Sequence, residues 1–182
     1  MKSKQIYIIV AVSILLSVGV APRSGFQAMA AQVKEPTNVH DYFLLVPERY
    51  IGYDRSFREG LLRENVAGTV VDVKNGYISY KASDNPETFE FAIFKKADGK
   101  YLVAFSVAYD PDFPDTTSKL LLLSYENGRW ADVTRAMLPV RFDKRLTYKL
   151  PREGTNIIVT NDKGRKMYTL VWTRSKFMVS ER

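Results

Sequence analysis

Three aspartates in one short segment have the residue type and spacing that come closest to a metal site. Asp110, Asp112 and Asp115 stand at positions i, i+2 and i+5, and calcium is bound by several oxygen ligands of this kind. The EF-hand pattern is not followed, because its sixth position is Asp115 instead of glycine and its twelfth is Leu121 instead of a bidentate glutamate. A solvated loop between strands is the alternative. We therefore predict no metal site and keep the three aspartates as the candidate ligands.

Groups for nucleophilic or acid–base catalysis are few. The chain has no cysteine, and His40 is its one histidine, next to Asp41 at the start of a predicted helix. Hydrolytic triads and most zinc sites need histidine together with other groups. We therefore predict no catalytic residue and no cofactor.

A pair of carboxylates is the catalytic alternative, since two carboxyl groups across a cleft can hydrolyse a glycan. The sequence offers several candidates without placing any two of them together: Asp72, Glu87, Glu90 and Asp132. A small hydrolase acting on an envelope glycan thus stays open as a second function.

Basic side chains are concentrated toward the C-terminus. Residues 141–182 hold 11 basic and 4 acidic side chains, whereas residues 31–140 hold 13 and 16. Turns that gather at one end of a sheet would sum such charges into a field that attracts anions, and ordinary solubility charge is the alternative. The predicted contact residues for an anion or a partner are Lys163, Arg165, Lys166, Arg174 and Lys176.

The N-terminus has the three parts of a secretory signal. Lys2 and Lys4 form a basic start, an apolar run follows over residues 6–21, and Ala28–Ala30 is a small-x-small triplet. We predict cleavage after Ala30, with a retained membrane anchor as the alternative, and hence a secreted or periplasmic protein. Without cysteine it is neither a lipoprotein nor held by disulfides. Loss of the signal would leave 24 basic and 20 acidic side chains.

The rest of the chain has the pattern of one β-rich domain. Residues 1–30 are the signal, 31–37 a polar tether and 38–182 the domain, which starts with one or two short helices. Asn38 is a predicted N-cap, and Ser56 with Glu59 fits the capping box of a second helix. From residue 69 the apolar period changes to two, which predicts strands at 69–74, 77–82, 88–96, 100–108, 118–125, 129–134, 145–150, 155–160, 165–173 and 176–180.

Turn residues between the strands predict an antiparallel hairpin meander. Asn75-Gly76, Asp98-Gly99 and Asn127-Gly128 are dipeptides that favour type I′ hairpins. We expect a two-sheet sandwich, or else an incomplete barrel or a propeller-like array. The run Leu120–Leu123 is apolar on both faces, so its strand should be central and covered on one side by the N-terminal helices.

Three of the turns share a motif, a small turn residue followed by a basic residue and an aromatic. The basic–aromatic pairs are Lys100-Tyr101, Arg129-Trp130 and Lys176-Phe177. Hairpin chemistry alone can produce this motif, because tight turns select the same residue types; a propeller-like repeat is the alternative. With hairpin chemistry we expect the basic side chain in solvent and the aromatic pointing inward, and strand alternation predicts the same orientation for Phe177.

Three segments resemble uncharacterised small exported bacterial β-rich proteins. They are HDYFLLVPERY from His40, GRWADVT from Gly128 and YKLPREGT from Tyr148. The second segment is also similar to a strand pair of propeller-type proteins. The resemblance implies export and a β-rich fold, and it transfers no functional residue.

Together these observations favour a non-catalytic extracytoplasmic binding module. Its expected partner is an anionic glycan, an anionic lipid surface or another envelope protein, and nucleic acid is not expected. Besides the carboxylate hydrolase, the alternative is a structural accessory of an envelope assembly.

Overall fold

Three short helices come first in the computed structural model, which describes residues 35–63, 66–81, 87–108 and 117–180. They are α1 (Val39–Leu45), α2 (Glu48–Ile51) and α3 (Arg55–Arg63). The predicted cap of the first helix is confirmed, because Asn38 Oδ1 accepts a hydrogen bond from the backbone amide of Asp41 at 3.1 Å.

The predicted cap of the second helix is wrong. Helix α3 begins at Arg55, ahead of Ser56, and Asp54 Oδ1 accepts from the backbone amide three residues on at 2.7 Å. Glu59 is engaged by arginines on the exposed side of the helix, Arg55 at 2.9 Å and Arg63 at 2.8 Å. Aspartate caps a helix as well as serine does. Asp54 is therefore the N-cap, and the helix begins two residues earlier than predicted.

All ten predicted strands are present. Their bounds are β1 (Thr69–Asp72), β2 (Tyr77–Lys81), β3 (Thr88–Lys95), β4 (Tyr101–Val107), β5 (Lys119–Glu126), β6 (Arg129–Asp132), β7 (Thr147–Lys149), β8 (Asn156–Thr160), β9 (Lys166–Trp172) and β10 (Phe177–Ser180). A fourth short helix, α4 (Thr134–Met137), was not predicted. It follows β6 because Asp132 Oδ1 accepts from the amide of Thr134 at 2.9 Å and turns the chain out of the strand.

The strands form two antiparallel meanders, as the hairpin pattern predicted. A large sheet has the order β1-β2-β3-β4-β5-β6, and a small sheet has the order β10-β9-β8-β7. Of the three dipeptides expected to form type I′ hairpins, only Asn127-Gly128 has both residues at positive φ, 51° and 76°. The turn at Asn75-Gly76 is longer, because Asp72 pairs with Tyr77, and only its glycine has a positive φ.

Strands β3, β4 and β5 of the large sheet are buried on both faces, as the apolar run in β5 predicted, although β5 lies next to the edge strand β6 instead of at the centre. One face packs against the helices, where Phe43 of α1 lies against Phe91 of β3 with ring centroids 5.1 Å apart. The other face packs against the small sheet, with Phe94 of β3 against Phe177 at 5.3 Å. Each large apolar side chain buried in this way contributes roughly 1.5–3 kcal/mol to the free energy of unfolding. The result is three layers: helices, large sheet and small sheet.

Strand β7 and the segment that follows it cross the large sheet. The backbone oxygen of Tyr148 accepts from Ser106 Oγ on β4 at 2.6 Å. Two residues later the amide of Leu150 donates to Glu90 Oε2 on β3 at 2.6 Å. Two residues further on, Arg152 pairs with the last residue of β1 at 3.0 Å. Every second residue from Tyr148 to Arg152 therefore contacts a strand nearer to the β1 edge, namely β4, β3 and β1 in turn.

The predicted signal segment, residues 1–30, lies outside the described residues. Among the helices that are described, none has the length and apolar character needed to cross a bilayer.

Candidate anion-binding surface

The five basic residues predicted as one contact surface lie on two turns at opposite ends of β9. Lys163, Arg165 and Lys166 belong to the turn that enters the strand, and Arg174 and Lys176 to the turn that leaves it. The strand has seven residues and rises by about 3.3 Å per residue, so the two groups are about 20 Å apart. The structure brings together the members of each group and separates the two groups.

The turn that carries Arg174 packs against a turn of the large sheet. The amide of Ala97, between β3 and β4, donates to the carbonyl oxygen of Arg174 at 3.0 Å. The indole Nε1 of Trp172 donates to the carbonyl oxygen of Lys95 at 2.9 Å. These two bonds join the β3–β4 turn of the large sheet to the β9–β10 turn of the small sheet.

Lys96 ties a third turn to the same place. Its Nζ lies 3.3 Å from Glu126 Oε1, where β5 turns into β6, and 3.5 Å from Asp98 Oδ2 within its own turn. The hydrogen bond from Lys96 lowers the pKa of Glu126, and the hydrogen bond from the amide of Lys100 lowers the pKa of Asp98. Both carboxylates are therefore ionised at neutral pH and share one ammonium group.

The three turns that meet here are the three that share the turn–basic–aromatic motif. The aromatics point inward, as predicted: Phe177 is fully buried, and Tyr101 and Trp130 are half-buried. The basic side chains are exposed. We call the following five exposed residues, none of which forms an ion pair with another described residue, the turn surface: Lys95, Lys100, Arg129, Arg174 and Lys176.

Arg174 takes a backbone conformation that non-glycine residues rarely adopt. Its φ is +66°, and the left-handed region costs such a residue about 1–3 kcal/mol. Thr173 and Lys176 hold it there, since the carbonyl oxygen of Lys176 accepts from Thr173 N at 3.1 Å and from Thr173 Oγ1 at 2.7 Å. Glycine would fit the turn more easily, so the arginine is present at some cost to the fold.

The candidate carboxylates for hydrolysis are each bound to a different partner. The four contacts are Asp72 with Arg152 at 3.0 Å, Glu87 with the Tyr53 hydroxyl at 3.3 Å, Glu90 with the Leu150 amide at 2.6 Å and Asp132 with the Thr134 amide at 2.9 Å. Hydrogen bonds from Asn75 and Arg152 lower the pKa of Asp72 to about 2. Burial raises the pKa of Glu90.

His40 joins no assembled site among the described residues. His40 lies in the first turn of α1, as predicted, and its Nε2 is buried without a hydrogen-bond partner among the described residues. Asp110, Asp112 and Asp115 lie outside the described residues. Elsewhere in the described ranges no three histidine or acidic side chains are grouped so that they could hold a metal ion.

Sequence reasoning missed Lys95, Lys100 and Arg129 as members of a surface with Arg174 and Lys176. The shared motif marked three of these residues, but the packing of the small sheet on the large one decides which turns meet. No protein-family model, curated protein or solved structure matches this chain.

Proposed function

We propose that the protein is a non-catalytic extracytoplasmic binding module and that its turn surface holds an acidic polysaccharide. The observation that carries the proposal is the hydrogen bond between Ala97 and Arg174, because it puts basic turns of both sheets side by side. The three joined turns carry six basic side chains and two acidic ones, Asp98 and Glu126, and both acids are engaged by Lys96. The excess positive charge attracts a polyanion.

The inward orientation of the motif aromatics favours a glycan over a membrane or a nucleic acid as the partner of the turn surface. Membrane-surface binding uses apolar side chains that enter the headgroup region, and single-stranded nucleic acid stacks on exposed aromatics. Here the motif aromatics are turned inward. Of the exposed large apolar residues of the described chain, only Met178, two residues after Lys176, borders the turn surface in sequence; the others are Val71, Val73, Ile158 and Met167. A polysaccharide with repeated carboxylate or sulfate groups requires only point charges.

Heparin, an acidic polysaccharide, serves as the probe. The test variant reverses one charge in each motif, Lys100→Glu, Arg129→Glu and Lys176→Glu. All three side chains are exposed and unpaired among the described residues, so folding should be preserved. We expect the wild type to bind heparin with a salt-dependent affinity and the variant to elute from a heparin column at much lower salt.

The matched control applies the same charge change at the other end of β9, with Lys163→Glu, Arg165→Glu and Lys166→Glu. This control should keep most of the heparin affinity if the turn surface is the site. Equal losses of heparin affinity in both variants would show that only the net charge of the protein matters, which would overturn the proposal. Unchanged elution of the test variant would overturn it as well. Stronger binding to anionic vesicles than to heparin would show that the partner is a lipid surface and not a glycan, which would also overturn the proposal.

A further inference from the structure

A cleft of about 1000 Å³ lies between α4 and the extended segment 138–142, and none of its lining residues belongs to the turn surface. Its floor is apolar and consists of Leu138, Val140 and Phe142, whose other sides pack against the core between the sheets. Arg135 and Arg141 stand at its rim. A largely apolar cleft of this size with a few polar groups at its edge is typical of a small-molecule site.

One wall of the cleft is fixed to the large sheet. The amide of Val133 donates to the carbonyl oxygen of Leu122 at 2.8 Å, and the amide of Leu122 donates to Thr134 Oγ1 at 2.8 Å. These bonds extend the β5 ladder beyond β6 and attach the start of α4 to a strand in the middle of the core.

The other wall is fixed to the small sheet through Tyr148, which is buried. The ring of Phe142 stacks on the ring of Tyr148, with centroids 5.3 Å apart and planes inclined by 27°. The hydroxyl of Tyr148 accepts from the amide of Asp143 at 3.0 Å. Because both walls are attached to the core, the cleft needs little reorganisation to admit a ligand, which lowers the cost of binding.

The charge at the rim is positive. Arg135 and Arg141 are exposed, and neither forms an ion pair within the described part of the chain. The carboxylate of Asp132 is also at the rim, with Oδ1 already accepting from the amide of Thr134. A smaller hollow of about 370 Å³ shares Arg141 and Phe142 with the cleft and adds Lys144 and the ion pair of Asp143 with Arg145.

From this combination we infer that the cleft binds a small amphipathic anion, namely a medium-chain aliphatic carboxylate. The alkyl chain lies on the floor formed by Leu138, Val140 and Phe142. The carboxylate lies between Arg135 and Arg141, because guanidinium groups bind carboxylates through paired, charge-assisted hydrogen bonds. The inference does not depend on the turn surface, which is a different site with a polymeric ligand.

Calorimetric titration of the purified protein with decanoate tests the inference. We expect one decanoate per chain and at least a tenfold loss of affinity in the double variant Arg135→Gln, Arg141→Gln. The matched control is Lys163→Gln, Arg165→Gln, which removes the same charge from other exposed positions and should change the affinity for decanoate less than twofold. Both double variants should keep the far-ultraviolet circular dichroism of the wild type, because all four side chains are exposed.

Two further titrants separate the two halves of the site. Decanol, which lacks the charge, and acetate, which lacks the chain, should each bind at least tenfold more weakly than decanoate. Failure of decanoate to bind, or equal affinity of the Arg135→Gln, Arg141→Gln variant and the wild type, would overturn the inference. Heparin binding should persist in that variant, so failure of the cleft can be told apart from failure of the turn surface.

Discussion

The backbone amide of Ala97 donates a hydrogen bond to the carbonyl oxygen of Arg174 at 3.0 Å, although the two residues belong to turns of different sheets. With the bond from Trp172 to the Lys95 carbonyl, it fixes the end of the small sheet to the end of the large one. Arg174 and Lys176 thereby become neighbours of the basic residues of the β3–β4 turn. The candidate binding surface depends on this junction.

Trp172→Phe should weaken the junction. The change removes the indole Nε1 that donates to the Lys95 carbonyl at 2.9 Å while keeping most of the apolar ring. We expect the free energy of unfolding to fall by about 1–3 kcal/mol, because a carbonyl loses its partner and a small cavity forms. Urea denaturation measures the loss, and heparin affinity should fall with it.

Trp130→Phe is the matched control for that change. Trp130 is the other tryptophan, and its Nε1 is buried without a hydrogen-bond partner among the described residues. The same ring atoms are lost without a hydrogen bond, so destabilisation should be about 1 kcal/mol smaller than for Trp172→Phe. Equal losses would show that the bond to the Lys95 carbonyl contributes little to the junction.

Arg174→Gly should lower heparin affinity without lowering the stability of the fold. Glycine adopts a φ of +66° without the cost that arginine incurs, and this gain is offset in part by the greater freedom of glycine in the unfolded chain. We expect the free energy of unfolding to stay constant or rise by up to about 1 kcal/mol, and heparin affinity to fall.

The contrasting variant is Lys176→Gly, which removes one charge from the same turn at a residue outside the left-handed region. It should lower the free energy of unfolding by roughly 0.5–1 kcal/mol. If Arg174→Gly proves the more destabilising of the two, the conformation at Arg174 imposes no cost on the fold.

The sequence allowed most of the fold to be predicted because the fold consists of local hairpins. Period-two alternation and turn residues located all ten strands, and the apolar run Leu120–Leu123 identified a strand covered on both faces. The helix caps were harder, since Asp54 and Ser56 are both good N-caps and lie two residues apart. The hairpin at Asn75-Gly76 was misjudged because pairing between Asp72 and Tyr77 sets the loop length.

The candidate site could be predicted only in part. The motif marked Lys100, Arg129 and Lys176, but nothing local in the sequence states which ends of the two sheets meet. That relation comes from long-range contacts such as Trp172 with the Lys95 carbonyl, which depend on how the small sheet crosses the large one. The cleft beside α4 was missed for the same reason, since its two walls are attached to different sheets.

Arg58 should be the most sensitive charged residue of the helical layer. Only 3% of it is exposed, and its guanidinium donates to the carbonyl oxygens of Phe43 and Val46 at the end of α1. Arg58→Met keeps the apolar stem and leaves both carbonyls without this donor, so we expect a loss of about 2–5 kcal/mol in the free energy of unfolding. Thermal or urea denaturation provides the measurement.

Arg55→Met on the same helix is the control for Arg58. The Arg55 side chain is 67% exposed and pairs with Glu59, and an exposed pair contributes about 1 kcal/mol or less. A loss for Arg58→Met no larger than that of this control would mean that water replaces the guanidinium at the end of α1.

Glu90 should make stability fall as the pH rises. Its Oε1 accepts from the Tyr77 hydroxyl at 2.8 Å and its Oε2 from the Leu150 amide at 2.6 Å, yet burial between the sheets outweighs these bonds and raises its pKa. Below the ordinary value of 4.5 the carboxyl is protonated in both folded and unfolded chains. Above it the unfolded chain loses the proton first, so stability declines until the folded carboxyl ionises too.

Glu90→Gln removes this titration, so the stability of the variant should rise relative to that of the wild type as the pH increases above the ordinary value of 4.5. Asp143 provides a control of opposite sign. Hydrogen bonds from Arg145 lower its pKa to about 2, so its contribution to stability is present above its ordinary pKa and is lost as the pH falls toward about 2. Urea denaturation at a series of pH values measures both. A constant difference between Glu90→Gln and the wild type would show that water reaches the carboxylate between the sheets.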